Sequence, residues 1–123
     1  MSDDTQQPAP DAMRPAEDVR ILLCTAPPAK ARPLAGLLVE ERLAACVNLV
    51  PGLRSVYRWK NDIHDDPETL LIIKTTAEHV DALADRLAER HPYDVPELLT
   101  LAPEAGLAPY LAWLGTSVGT PNA

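Results

Sequence analysis

The chain is short of what several function classes need. Its 11 basic residues face 18 acidic ones, for a formal net charge of −7. Nucleic-acid binding needs a basic face to displace counterions from phosphate, so that partner is set aside. A cation or a basic partner suits the sign better, although an acidic balance chiefly serves solubility. No run of about 18 apolar residues exists, so no membrane-spanning helix is expected. The N-terminal MSDDTQQPAPDAMRPAED has no basic start and no apolar stretch. It does not read as a secretion signal, and the expected location is cytoplasmic. Only two cysteines occur, Cys24 and Cys46. In the cytosol both should be thiols, with no disulfide framework. Phenylalanine is absent, and the aromatics are three Tyr and two Trp. Aliphatic side chains must therefore build the core. No Gly-rich phosphate loop, GxSxG, HExxH or CxxC is present, so an enzyme is not expected.

What is there suits one domain of 123 residues. Residues 1–17 are polar, proline-rich and acidic, and read as a disordered tail. The folded unit is 18–118. The end frays, loosening from Gly115 and lost over 119–123. VRILLCT (19–25) reads as a buried strand. A helix follows over KARPLAGLLVEERLAA. Leu34, Leu37, Leu38 and Leu43 mark its apolar side, while Glu40, Glu41 and Arg42 face water. Pro33 belongs in a first turn, which starts this helix near Ala31. CVNLV (46–50) is a strand that Pro51-Gly52 interrupts as a bulge or bend. LRSVYRWK resumes it, with Leu53, Ser55, Tyr57 and Trp59 on one face. NDIHDDP reads as a turn and ETLLIIKT as a central strand covered on both faces. TTAEHVDALADRLAERH is a helix, with Thr75 and Glu78 as a capping box. His64 and His79 face solvent by position. HPYDVPE (91–97) stops this helix, because a residue before proline avoids the helical region. VPELLTLA (95–102) is a last strand, and GLAPYLAWLGTS a last helix.

The order β-α-β-β-α-β-α predicts an α+β fold: a ferredoxin-like βαββαβ unit with an extra C-terminal helix and a long hairpin. The strand order is then 4-1-3-2. The end of the first strand meets the start of the fourth, which brings Cys24 to His91, Tyr93, Asp94 and Glu97. Cys46 lies two strand spacings from the first strand, about 10 Å, too far for a disulfide with Cys24. Thiolate and imidazole together suit a soft or borderline metal. Each residue also has a plain structural reading, a packed thiol and a polar loop histidine. The hairpin carries Tyr57 and Trp59 on an edge that needs covering, and a second copy of the chain is the expected cover.

CTAPP (24–28), LAACVNLVPG (43–52), SVYRWKNDI (55–63), LLIIKTT (70–76), HPYDVPEL (91–98) and YLAWL (110–114) occur together and in order. In this the chain resembles the CutA family of divalent-cation tolerance proteins, over about residues 19–116. The resemblance implies a tight homotrimer whose long hairpin crosses the subunit interface. It also implies binding of a divalent metal ion, copper(II), and a role in the response to metal ions. The ligands it implies are the Cys of CTAP and two histidines at HHPY. These map to Cys24 and His91, with Arg90 in place of the first histidine. A second reading keeps the trimer but makes it a ligand-sensing or scaffold module, like the nitrogen-regulatory signalling trimers. Small molecules or partners would then sit in clefts between subunits, near Tyr57, Trp59, Lys74, Tyr93 and Glu97.

Overall fold

The computed structural model describes residues 12–120. Its strands are β1 (Met13–Pro15), β2 (Val19–Ala26), β3 (Cys46–Trp59), β4 (Asp62–Thr76), β5 (Leu99–Leu101) and β6 (Ala105–Leu107). Its helices are α1 (Pro28–Glu40), α2 (Val80–Arg90) and α3 (Ala108–Ser117). Four strands form one antiparallel sheet in the order β3-β4-β2-β5. The short β1 and β6 pair separately.

Alternation along β2 and β4 sorts the sheet into two faces. Leu22, Cys24 and Ala26 of β2, with Leu71 and Ile73 of β4, pack under Leu34 and Leu38 of α1 and Leu83 and Leu87 of α2. Cross-strand register puts Ile21, Leu23 and Thr25 opposite Lys74, Ile72 and Leu70, on the other face. There α3 covers only one end, where Leu114 packs with Val19 and Ala45. So β4 is central, but one of its faces is only partly covered by this chain.

Several expectations are corrected. The turn is not NDIHDDP: β4 begins at Asp62. Lys60 and Asn61 alone make it, with φ of 52° and 70°. A two-residue hairpin loop needs both residues left-handed, and its twist then matches the strands. The bulge at Pro51-Gly52 is present, as a register shift between Val50 and Leu53 with Gly52 at φ 80°. Helix α1 starts at Pro28, not Ala31, because a proline with fixed φ serves well as the first helical residue. Pro33 is then carried inside the helix, held by the buried Ala31, Leu34 and Ala35 around it. Thr75 makes no capping box. It is a buried strand residue whose hydroxyl donates to the Leu43 carbonyl at 2.7 Å. The last sheet strand keeps only Leu99–Leu101, since Pro92 and Pro96 cannot donate to a ladder.

Both chain ends hold more structure than expected. Met13–Pro15, placed in the tail, pairs with Ala105–Leu107, and Ala16 is buried. The rest of the expected tail, 1–11, and residues 121–123 lie outside the described residues. Gly115 to Ser117 stay helical and Val118 is buried. Arg42 does not simply face water: it clamps this end, with Nη2 donating to the Thr116 carbonyl at 2.7 Å and Nε to that of Gly119. His79 is half-buried against Gly119, and its Nδ1 lies 2.6 Å from the Thr76 hydroxyl.

Candidate ligand-binding cleft

The segment after α2 is held by one imidazole. His91 is only 7% exposed. Its Nδ1 accepts the Tyr93 N–H at 3.1 Å, so the ring proton is on Nε2, which donates to the Thr25 carbonyl at 2.8 Å. That anchors the loop to the end of β2. Tyr93 is thereby aimed at β4, where its hydroxyl donates to Glu68 Oε2 at 2.7 Å. Across the hairpin, Tyr57 donates to Asp66 Oδ2 at 2.7 Å and stacks on His64, with ring centroids 5.3 Å apart.

These elements enclose an open cleft of about 510 Å³. Its walls include Tyr57 and Trp59 from β3, Glu68 from β4, and Tyr93, Asp94 and Glu97 from the loop before β5, with Thr25 from the end of β2. The volume lies within the range usual for small-molecule sites. Its ionisable lining is acidic, and the field shows in its neighbours. Burial first, then the Glu68 charge, raises Glu97 above the usual carboxylate range. Burial and the hydrogen bond to Glu68 push the Tyr93 phenol up.

Of the residues expected from sequence, Tyr57, Trp59, Tyr93 and Glu97 meet here. Lys74 does not line the cleft. It sits further along β4 on the open sheet face, donating to Asn48 Oδ1. Glu68 and Asp94 complete the cleft. Sequence reasoning placed Glu68 first in the strand ETLLIIKT and gave it no role, but it is 4% exposed. Its place one step beyond the Pro51-Gly52 bulge, opposite Leu53, was the available signal.

Cys24 and His91 are brought close, for both reach the Thr25 carbonyl, the Cys24 thiol at 3.6 Å. Burial, then the Glu97 and Glu68 charges, push the Cys24 thiol up to about 12. A soft metal needs a thiolate and a free imidazole lone pair. A metal there would have to displace the thiol proton and take the imidazole lone pair from the Tyr93 N–H. Among the described residues, no three His, Cys, Asp or Glu side chains are grouped to hold a metal. The strands that carry the two cysteines are separated by β4, and both cysteines are free thiols.

The profile of the CutA1 divalent ion tolerance protein family matches residues 20–117. The chain belongs to this family. Divalent-cation tolerance protein CutA of Pectobacterium atrosepticum is 46% identical over 106 residues, which is 85% of this chain and 96% of that one. CutA from Synechococcus elongatus, solved in complex with a Bis-Tris molecule, is 40% identical with a TM-score of 0.80, covering 87% of this chain and 100% of that one. A PII-like CutA from Nostoc, solved in apo form, is 33% identical with a TM-score of 0.78, covering 81% of this chain and 97% of that one. A divalent-cation tolerance protein with a mixed α+β fold is therefore what the CutA membership supports. No described helix is long and apolar enough to cross a membrane.

Proposed function

We propose that this CutA chain is a cytoplasmic binding protein, not an enzyme, in which a ferredoxin-like subunit assembles as a homotrimer. Its task in divalent-cation tolerance is to hold a small molecule in clefts at the subunit boundary. One observation carries this reading: the cleft opens at the foot of an apolar sheet face that the chain leaves partly bare. Ile21, Leu23, Leu70 and Ile72 share that face with Leu99 and Leu101, which are 59% and 49% exposed. Beside it, β3 is an unpaired edge, and Val56 and Ile63 of the hairpin are 67% and 61% exposed. Bare apolar area of this kind, on an open edge, favours association with further copies. The CutA relative that holds Bis-Tris and the one described as PII-like support a ligand-sensing role.

The copper reading of Cys24 and His91 has less support, because a metal there would have to displace both the thiol proton and a hydrogen bond of the imidazole. Arg90 adds a permanent cation beside that site.

The test has two parts. Sedimentation at micromolar concentration should give a trimer, and a monomer would overturn the assembly. Bis-Tris titration of the full chain, followed by tyrosine and indole NMR signals, should shift Tyr93 and Trp59 saturably. Shifts absent from those rings would remove the cleft as a binding site.

A further inference from the structure

We infer that the ligand of this cleft is an organic ammonium ion. The inference rests on the cleft reading above and names the chemical class of its occupant. Three carboxylates line the cleft, Glu68, Asp94 and Glu97, together with three aromatic rings, Tyr57, Trp59 and Tyr93, and no basic residue among the described residues does. Glu68 is the deciding group. It is 4% exposed, yet no ion pair between described residues engages it, nor Asp94 or Glu97. Buried carboxylates are ordinarily paired with a cation or fully hydrogen-bonded. Glu68 receives one hydrogen bond between described residues, from Tyr93 to Oε2, and its other oxygen is not fully buried, so a cation in the cleft can reach it.

The rings decide the kind of cation. A hard divalent ion needs six or more oxygen donors and keeps its waters. Three of the ten lining residues present aromatic rings, which offer such an ion nothing. Aromatic faces attract alkylammonium groups, which are weakly hydrated and carry apolar surface beside their charge. The Lys60 ammonium already lies 6.0 Å from the Trp59 ring centroid, at the limit of such an interaction, without lining the cleft itself. An ammonium inside would meet Glu68 and the rings together. Glu97, Tyr93 and Cys24 are raised first by burial and then by their carboxylate neighbours, Glu68 in each case.

The experiment compares three probes of nearly equal shape on the full-length protein in its native assembly, by calorimetry at low salt. Choline carries a permanent charge, 3,3-dimethylbutan-1-ol is its neutral carbon analogue, and 3,3-dimethylbutanoate is an anion. Choline should bind at least about tenfold more tightly than the alcohol, and the anion least of all. Glu68→Gln, nearly isosteric, should remove about that tenfold preference without changing assembly. Glu97→Gln, at an exposed position, gives a second reading should Glu68→Gln fail to fold. Equal binding of choline and the alcohol overturns the inference. So does a choline preference unchanged in both variants. No binding by any probe overturns it as well. The Bis-Tris titration then decides separately whether the cleft reading survives. Loss of the trimer in Glu68→Gln, without choline binding to the parent, would show that a neighbouring subunit supplies the cation.

Discussion

Removing the His91 ring separates two accounts of this residue. In the structure it is a latch. Its ring is 7% exposed and links the loop after α2 to the end of β2 through the Thr25 carbonyl at 2.8 Å and the Tyr93 N–H at 3.1 Å. His91→Ala loses both hydrogen bonds, at about 1 kcal/mol each. It also empties the ring's place, for about another 1 kcal/mol of lost apolar burial and packing. The expected loss is about 3 kcal/mol, read by equilibrium urea unfolding at fixed protein concentration, since assembly makes stability depend on mass action. Tyr93 loses its aim at the same time, so Bis-Tris affinity should fall with stability. His91→Gln can accept and donate along one side chain and should recover part of both. A metal-ligand role predicts the reverse pattern: stability within about 0.5 kcal/mol of the parent, and copper bound at one ion per chain in the parent but not in the variant. That pair of results would refute the latch.

Gly52→Ala should cost about 1–2 kcal/mol, purely conformational, because φ is 80° there while nothing lies within 4 Å of the added Cβ. An unchanged urea midpoint would show that the bulge relaxes freely. Cys24 should resist alkylation until the protein unfolds. Its thiol is raised from 9.0 to about 12, so the unfolded chain releases this proton first as pH rises. Stability from this group is therefore whole below pH 9 and drains away up to about pH 12, at no more than about 1.4 kcal/mol per pH unit. A flat profile across that window, or rapid native-state labelling of Cys24, would contradict its burial. Deleting residues 1–15 removes β1 from its pairing with β6 and should lower the thermal midpoint by about 4 °C. Unchanged melting would show that this small sheet adds nothing.

Local patterns in the chain were enough for the elements whose cause is local. A short apolar run located β2, alternation the far half of β3, and helical spacing α1 and α2, while Pro92 marked where α2 stops. Pro51-Gly52 announced the bulge because proline and a left-handed glycine interrupt a ladder wherever they occur. Adjacency of the first and fourth sheet strands followed from element order, and with it the meeting of Cys24, His91, Tyr93 and Glu97. Other features depend on partners far away in sequence. Met13–Pro15 is a strand only because Ala105–Leu107 lies beside it. Arg42 looked like a solvent-facing helix residue until Thr116 of α3 and Gly119 just beyond it arrived, 74 and 77 residues later, as its acceptors. Glu68 opens the strand ETLLIIKT as one more polar residue, and becomes a buried carboxylate because the hairpin and the Tyr93 loop fold over it. Protonation and hydrogen bonding are of the same kind. Sequence can bring a thiol and an imidazole to one edge, but only the fold shows that the thiol is buried and that the imidazole is hydrogen-bonded to the backbone of Thr25 and Tyr93. Such outcomes arise from contacts that do not exist until the chain has folded.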